Sequence, residues 1–134
     1  MSKEGSLARY NIIAFVPIVD AGKAREFYQG TLGLTLQREE LPFALVFDAG
    51  GIMLRLAIVG KPAPAPWTVL GWEVPDIAAS VNTLGARGVR FERYPGMNQD
   101  ENGIWNSPSG ARVAWFKDPE GNVLGLTQFP KKDR

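Results

Sequence analysis

Short runs of apolar and β-branched residues alternate along the chain with two segments whose apolar residues recur every three or four positions. The first run, residues 10–19, predicts a β-strand. Asp20 follows it as a candidate helix N-cap, and Gly33 is expected to end the helix that begins there, because glycine readily adopts the conformation that terminates helices. One face of this helix would carry Ala24, Phe27, Tyr28, Thr31 and Leu32.

Three more strand-like runs complete this first unit. They are residues 34–38, 43–48 and 52–59, and residues 49–51 (Ala-Gly-Gly) supply a tight turn between the last two. Residues 61–66 then place a proline at every second position, which favours an extended polyproline conformation and blocks helix formation. We therefore predict a stiff linker at 61–66.

After the linker the same pattern begins again. Residues 67–74 predict a strand, and Asp76 is a second candidate N-cap. Further strands are predicted at 89–93, 112–117 and 123–129. The face of the helix between them would carry Ile77, Ser80, Val81, Leu84 and Gly88.

The two units correspond position by position when Asp20 is aligned with Asp76. A shared order of strand, helix and three strands on both sides of a Pro-rich linker indicates internal duplication. The sequence thus predicts one α+β domain of two βαβββ modules, at about residues 9–60 and 67–129. The alignment pairs Ile13 with Val69, Val16 with Trp72, Ile18 with Val74 and Tyr28 with Leu84.

Composition narrows the classes of partner and the compartment. The chain has 134 residues, of which 45% are hydrophobic, enough for one sizeable core. A net charge of +1, from 15 basic and 14 acidic residues, gives no electrostatic reason to expect nucleic acid or an anionic membrane as partner. No segment approaches the roughly 18 to 20 apolar residues of a membrane span, and the N-terminus lacks a signal-peptide pattern. We expect a cytoplasmic protein.

The chain contains neither cysteine nor histidine. Disulfides, thiolate nucleophiles and thiolate metal sites are therefore excluded, as is the usual general base near neutral pH. Ser-His-Asp and Cys-His catalysis are excluded with them. Any metal would have to be held by carboxylates and carbonyls alone.

Motifs near both ends of the chain point to a family. Together they are similar to the opening and closing signatures of the vicinal-oxygen-chelate superfamily, which includes glyoxalase I, bleomycin-resistance proteins and extradiol dioxygenases. The resemblance covers about residues 10–129 and implies two βαβββ modules that form a half-open barrel. The motifs are Val19-Asp20, Phe27-Tyr28 and Leu32-Gly33-Leu34, then Gly103-Ile104-Trp105, Pro108 to Gly110, Val113 to Phe116 and Asp118-Pro119-Glu120-Gly121-Asn122.

The last motif also has a meaning independent of any family. Asp118 to Asn122 places proline at the second position of a turn and glycine where a positive φ is expected. We predict that it joins the strands 112–117 and 123–129 as a hairpin, and that it sets their register without taking part in chemistry.

In metal-dependent members of this superfamily, four strands supply one ligand each. By position, these ligands fall on Ile13, Arg55, Val69 and Gly125. None of the four has a side chain that binds a divalent cation, and the charge of Arg55 would repel one. The resemblance therefore implies that the metal site of the family is absent here and that the protein uses no metal cofactor.

The same four positions, if they face inward, identify the lining of a cleft. Strand alternation then places Phe15, Met53, Ala57, Trp67, Gly71 and Glu73 on the same faces. Within such apolar walls, Arg55 would pair with a carboxylate or phosphate of a ligand, or with Glu73, or would lie at the rim in water. The predicted ligand-binding residues are Ile13, Phe15, Met53, Arg55, Trp67, Val69 and Trp105.

Four tryptophans offer surfaces for a planar ligand, although core packing explains most of them equally well. Alternation predicts that Trp72 points into the helix-packed core. Trp105 follows the polar stretch 96–103, which is either a loop over the mouth of the barrel or a plain surface loop. The remaining two are Trp67 and Trp115.

Glu73 and Tyr94 are the catalytic candidates, followed by Asp48 and Asp100. A buried Glu73 with a raised pKa would serve as a base, but no second catalytic group pairs with it in the sequence.

The sequence as a whole favours a metal-free protein that binds or sequesters a small aromatic or anionic molecule in an apolar cleft, as bleomycin-resistance proteins do. We also expect a homodimer, because the open sheets of this superfamily usually complete their clefts by pairing. One alternative is a glyoxalase-like lyase or isomerase, or a dioxygenase-related enzyme, that works without the metal site. Another is a purely structural or regulatory protein.

Overall fold

The computed structural model describes residues 5–131. A 3-10 turn, Leu7–Arg9, precedes the first module. The strands of that module are β1 (Ile13–Ile18), β2 (Thr35–Glu40), β3 (Ala44–Ala49) and β4 (Ile52–Ile58), and its helix α1 (Ala21–Arg25) continues as a π-helical segment, Glu26–Thr31. The second module contains β5 (Thr68–Glu73), α2 (Ile77–Ala86), β6 (Trp105–Asn106), β7 (Arg112–Lys117) and β8 (Val123–Gln128).

Each module folds into one four-stranded sheet. The strand order is β1-β4-β3-β2 in sheet one and β5-β8-β7-β6 in sheet two. In each sheet the first strand pairs with the last in parallel, and the other pairs are antiparallel. The edge strands β1 and β5 contact each other, so the strands β4, β1, β5 and β8 lie at the centre of the molecule. The predicted α+β fold of two βαβββ modules in a half-open barrel is confirmed.

Both predicted N-caps begin a helix. Asp20 Oδ1 accepts a hydrogen bond of 3.0 Å from Lys23 N, and Asp76 Oδ1 accepts one of 3.1 Å from Ala79 N. Each carboxylate thus satisfies a backbone donor that the first helical turn leaves without a partner.

The first helix differs from the continuous α-helix that periodicity predicts, because its second half is π-helical. The wider turn allows the adjacent residues Phe27 and Tyr28 both to pack inward. Their rings meet edge to face with centroids 5.4 Å apart, and Phe27 also contacts Phe116 of the second module. The Leu34 amide still closes the helix end on the Tyr28 carbonyl, next to Gly33 with its φ of 78°.

The strand predicted at 89–93 is wrong. Phe91 makes only an isolated bridge to Phe116, and the fourth strand of sheet two is the two-residue β6. The reason lies in a side chain, since Gln99 accepts from the Tyr94 amide and donates to the Glu92 carbonyl, both at 2.8 Å. A side chain therefore takes the backbone bonds that a strand partner would otherwise make.

One hydrophobic core joins the two modules. It combines residues of both sheets with residues of both helical segments, and Trp72 packs against it by stacking on Phe116, as predicted. No helix within residues 5–131 is long and apolar enough to cross a membrane. The largest fully buried side chains of the core include Tyr28, Phe47, Phe116, Ile18, Leu45, Leu54, Leu56, Ile77, Ile104 and Leu124.

The motif Asp118 to Asn122 forms the predicted turn between β7 and β8, and it also ties the modules together. The Asn122 side-chain amide donates to the Pro17 carbonyl at 2.8 Å. Glu120 Oε2 accepts from the Asp20 amide at 2.8 Å. A turn that sequence analysis treated as purely local is therefore a main contact between modules.

Candidate ligand-binding faces

The face of each sheet that points away from the core is termed its open face. On sheet one, β1 and β4 run side by side, and their register pairs Ile13 with Met53 and Phe15 with Arg55. Residues directly opposite each other on paired strands share a face, so the structure brings these four predicted site residues together. Ile13 is 44% exposed and Phe15 is 62% exposed, so this part of the open face is uncovered within the chain.

Arg55 has a partner that sequence analysis did not consider. Its Nη2 donates to Glu40 Oε1 at 2.8 Å, and Glu40 Oε2 accepts from Arg38 Nε. The hydrogen bond from Arg55, and after it the one from Arg38, lowers the pKa of Glu40. The carboxylate is therefore ionised near neutral pH, and the three side chains together carry a charge of +1.

The three charged side chains project over small residues of the central strand β3. Arg38 and Arg55 both lie opposite Val46 in the register, and Glu40 lies opposite Ala44. Val46 is 0% exposed and Ala44 is 2% exposed, although both lie on the open face. Because the charged residues lie opposite Val46 and Ala44 in the register, we infer that their aliphatic stems shield these two side chains from water.

The open face of sheet two carries three neighbouring aromatic rings, here called the aromatic wall. Trp105 and Trp115 have ring centroids 6.0 Å apart with planes inclined at 33°. Tyr94 meets Trp115 edge to face at 5.5 Å and 80°. Burial, and after it the charge of Glu92, raises the pKa of Tyr94, so its phenol stays protonated near neutral pH.

Trp115 lies opposite Gly125, one of the four positions that the sequence resemblance matched to metal ligands of the superfamily. A Cβ atom on Gly125 would meet Trp115 Cδ1 at 3.6 Å and Thr68 Cγ2 at 3.4 Å. These are ordinary van der Waals distances, and an indole thus borders the space into which a longer side chain from this position would extend.

Gln99, which sequence analysis did not single out as a site residue, holds the aromatic wall in place. Its side chain bonds the Tyr94 amide, the Glu92 carbonyl and the Gly103 carbonyl, each at 2.8 Å. Asp100 Oδ1 accepts from the Ile104 amide at 2.9 Å in the same loop. The stretch 96–103 is therefore a well-bonded loop that positions Tyr94 and Trp105 against Trp115.

Two further predicted residues lie where the sheets meet. Trp67, directly before β5, is 66% exposed, and Val69 on β5 is 37% exposed. Because β5 contacts β1, these apolar side chains neighbour the strand that carries Ile13 and Phe15. Exposed apolar residues therefore lie on, or directly before, both of these contacting strands.

Glu73, the predicted base, lies at the end of β5 and borders a cavity of about 390 Å³. That cavity lies on the core side of sheet two, between α2 and the segment Leu32–Leu34, with Trp72 and Phe116 among its walls. The volume is therefore on the side opposite to the open faces that carry the other predicted residues.

The residues present do not fit the metal site of the superfamily. Within the range 5–131, no group of three or more His, Cys, Asp or Glu side chains is arranged to hold a metal ion. The four positions that the sequence resemblance matched to the metal ligands carry Ile13, Arg55, Val69 and Gly125, which offer no side-chain oxygen, sulfur or imidazole donor.

Comparison with known proteins identifies a family and solved structures that share this architecture. Residues 9–126 match the sequence profile described as the Glyoxalase/Bleomycin resistance protein/Dioxygenase superfamily. Two solved structures share the fold at 16% identity. A glyoxalase family protein from Bacillus anthracis has a TM-score of 0.71, with 90% of this chain and 95% of that chain covered. Lactoylglutathione lyase from Agrobacterium tumefaciens has a TM-score of 0.69, with 89% and 92% covered.

A third solved structure is more similar in sequence. TnmS3, an antibiotic-binding protein from Streptomyces sp. CB03234, is 26% identical, with a TM-score of 0.65 and with 90% of this chain and 96% of that chain covered. No significant match is found among curated protein sequences.

Proposed function

Because the chain belongs to the Glyoxalase/Bleomycin resistance protein/Dioxygenase superfamily, we propose that it binds and sequesters a small planar aromatic molecule with an anionic group, without a metal ion. The observation that carries this proposal is the aromatic wall of Tyr94, Trp115 and Trp105. Trp115 of this wall lies opposite Gly125, one of the positions that the sequence resemblance matched to metal ligands of the superfamily. The ligand is held by stacking in place of coordination.

Stacking is a sufficient source of affinity for such a ligand. Aromatic pairs contribute about 0.5 to 1.5 kcal/mol each beyond the apolar area that they bury. The wall offers two indoles and a phenol, and Gln99 fixes their loop before the ligand arrives. Little conformational entropy then has to be lost on binding.

The anionic part of the proposal rests on sheet one. Arg38 and Arg55 share one carboxylate, so their cluster keeps a net positive charge on an otherwise apolar face. A guanidinium that is only 25% exposed, as Arg55 is, attracts an anion more strongly than a fully hydrated cation does.

A role in sequestration is consistent with the function of a similar protein, TnmS3. TnmS3 is an antibiotic-binding protein and is 26% identical to this chain over most of its length. This similarity favours a binding role over the lyase or isomerase alternative. The similarity to lactoylglutathione lyase, at 16% identity, concerns the fold alone.

A catalytic role would need a base, and the predicted bases are poorly suited to it. The raised pKa of Tyr94 keeps its phenol protonated near neutral pH, so it is a donor of hydrogen bonds. Glu73 is exposed at the end of β5 and borders the cavity on the core side of sheet two, away from the aromatic wall.

We further propose that the cleft is completed in a homodimer. Ile13, Phe15 and Trp67 are between 44% and 66% exposed, and together with Val69 they form one apolar surface across β1 and β5. Contiguous apolar surfaces of this kind on a monomer usually mark an interaction site. A second copy of the chain, related by twofold symmetry, covers this surface and encloses the ligand.

The proposed function is tested in two steps. Mass spectrometry of the purified protein after denaturation should release a planar aromatic acid or sulfonate. In a titration with 2-naphthoate, the wild type should bind, and Trp115→Leu should weaken binding at least about tenfold, the scale of a lost aromatic contact plus its buried area. Tyr10→Leu is the matched control, because Tyr10 is 64% exposed and precedes β1. Equal affinities in Trp115→Leu and wild type would reject the aromatic wall as the binding surface.

A further inference from the structure

We propose that Arg38, Glu40 and Arg55 form an anion-exchange site, in which Glu40 keeps two arginines poised and the carboxylate or sulfonate of an incoming ligand takes its place. This inference rests on the proposed function for the identity of the ligand body. It adds a selectivity element, since Glu40 competes with the ligand from within the protein.

The geometry places one carboxylate between two guanidinium groups. Each oxygen of Glu40 accepts from one arginine, Oε1 from Arg55 Nη2 at 2.8 Å and Oε2 from Arg38 Nε. Arg38 on β2 and Arg55 on β4 stand on opposite sides of β3, both opposite Val46. Strands two apart are separated by about 9 to 10 Å, a gap that a carboxylate between two long side chains can bridge.

Within residues 5–131, each arginine has N–H donors beyond the one that it uses on Glu40. A guanidinium has five N–H groups, and each arginine uses one of them on Glu40. The side chains of Arg38, Glu40 and Arg55 are 51%, 34% and 25% exposed, so a solute can reach all three. With the buried Val46 and Ala44 beneath them, the ends of these side chains lead outward, into the open face.

Exchange is physically reasonable because the carboxylate of Glu40 is held on a flexible side chain at the surface. The ion pairs of Glu40 are partly exposed, so displacing its carboxylate costs no more than about one charged hydrogen bond, which an incoming anion can replace. A ligand whose anionic group reaches the cluster meets two arginines that Glu40 already holds in position. The cluster of Arg38, Glu40 and Arg55 carries a net charge of +1 before the ligand binds, so it repels cations. When a monoanion binds while Glu40 stays nearby, the net charge of the cluster with its ligand becomes zero.

The chain supplies a matched control at the neighbouring residue. Glu39 Oε2 accepts from Arg25 Nη1 at 2.7 Å, and the Glu39 side chain is 34% exposed, as is that of Glu40. Glu39 lies opposite Leu45, a core residue, and therefore on the other face of β2. Glu39→Gln thus removes the same charge and the same type of ion pair without touching the proposed site.

The experiment compares wild type, Glu40→Gln and Glu39→Gln in titrations with 2-naphthoate and with its neutral analogue 2-naphthamide. Glu40→Gln should bind 2-naphthoate about tenfold more tightly than wild type, the scale of one charged hydrogen bond released for the ligand. Its affinity for 2-naphthamide should be unchanged, and Glu39→Gln should match wild type with both. Arg38→Met should weaken the binding of 2-naphthoate and leave the binding of 2-naphthamide unchanged.

If the wild type binds 2-naphthoate, either of two results would overturn the exchange site. The first is that Glu40→Gln binds 2-naphthoate no more tightly than Glu39→Gln does. The second is that the affinity of Glu40→Gln for the neutral 2-naphthamide rises as much as its affinity for 2-naphthoate. A second measurement keeps this inference separate from the proposed function: the rise of Tm with sodium sulfate at constant ionic strength. It should be larger in Glu40→Gln than in Glu39→Gln. If neither naphthalene compound binds any variant but this sulfate difference is present, the proposed function fails and the exchange site stands. If the sulfate responses are equal, the exchange site fails.

Discussion

Tyr28 donates a hydrogen bond of 2.7 Å from its phenol to Asp118 Oδ2, across 90 residues of chain. The contact joins the π-helical segment of the first module to the β7–β8 turn of the second. Tyr28 is 0% exposed and Asp118 is 5% exposed, so both groups depend on bonds within the protein. Asp118 receives three further bonds, from the Glu120 amide and from the amide and side chain of Asn122, each at 2.9 Å.

The first prediction concerns this bond. Tyr28→Phe should reduce the free energy of unfolding by about 1.5 to 3 kcal/mol, because a buried carboxylate loses one of its donors. Urea denaturation measures the difference. The control is Tyr10→Phe, which removes an exposed phenol and should change the free energy of unfolding by less than about 0.5 kcal/mol. Equal stabilities of the two variants would mean that the buried bond adds nothing.

The same tyrosine predicts how stability depends on alkaline pH. Burial raises the pKa of Tyr28, and the charge of Asp118, the hydrogen bond to it and the charge of Glu120 raise it further. The folded state keeps the phenolic proton, whereas the unfolded chain loses it near its ordinary pKa of about 10. The contribution of Tyr28 is therefore fully present below about pH 10 and is lost progressively as the pH rises above that value.

The stability gap between wild type and Tyr28→Phe should thus be constant between about pH 7 and 9 and should narrow above about pH 10. Urea denaturation of both proteins across this range measures the gap. The comparison with the variant cancels the other groups that titrate in this range. A gap that widens with rising pH would contradict the assignment of a raised pKa.

The third prediction tests the loop that carries the aromatic wall. Gln99→Leu removes three hydrogen bonds to the backbone and leaves the amide of Tyr94 and the carbonyls of Glu92 and Gly103 without their partner. The near-ultraviolet circular dichroism signal of the Trp105–Trp115 pair should decrease. The free energy of unfolding should fall by about 2 to 4 kcal/mol. Gln29→Leu is the control, since Gln29 is exposed on the first helical segment. An unchanged aromatic signal in Gln99→Leu would show that the wall does not depend on this side chain.

The fourth prediction concerns assembly. Phe15→Lys places a charge in the exposed apolar surface of β1, where Phe15 is 62% exposed, so the fold should tolerate it. Burying an unpaired ammonium in an apolar interface is costly, so the variant should be monomeric where wild type is dimeric. Light scattering at micromolar concentration reports the masses, and circular dichroism checks the fold. A wild-type protein that is monomeric in this experiment contradicts the proposed dimer directly.

Much of the local structure could be predicted from the sequence because it depends on neighbouring residues. The caps of Asp20 and Asp76 involve backbone amides three residues away. The hairpin between β3 and β4 turns at Gly50 and Gly51, whose φ values of 62° and 89° favour residues without a side chain. Alternation along β1 and β4 likewise places Ile13, Phe15, Met53 and Arg55 on one face, as the register confirms.

For the candidate site, the sequence predicts only the face of the sheet on which each residue lies. The alternation of a strand states which side a residue occupies, but it does not state which strand lies next to it. Arg55 therefore found its partner in Glu40, which reaches it across β3, and sequence reasoning considered only Glu73 and a ligand. For the same reason, the composition of the loop 96–103 did not reveal that Gln99 replaces a strand partner.

The sequence by itself determined the two modules, their caps and turns, the face on which each strand residue lies, and the absence of metal-binding side chains at the four positions of the superfamily. All of these follow from short-range geometry or from residue identity. Only the tertiary structure decided the contacts made across long separations: Tyr28 with Asp118, Glu40 between two arginines, and the aromatic wall held by Gln99. The physical reason is that hydrogen bonds and ion pairs between distant segments depend on how the sheets pack, and packing is set by the whole core at once.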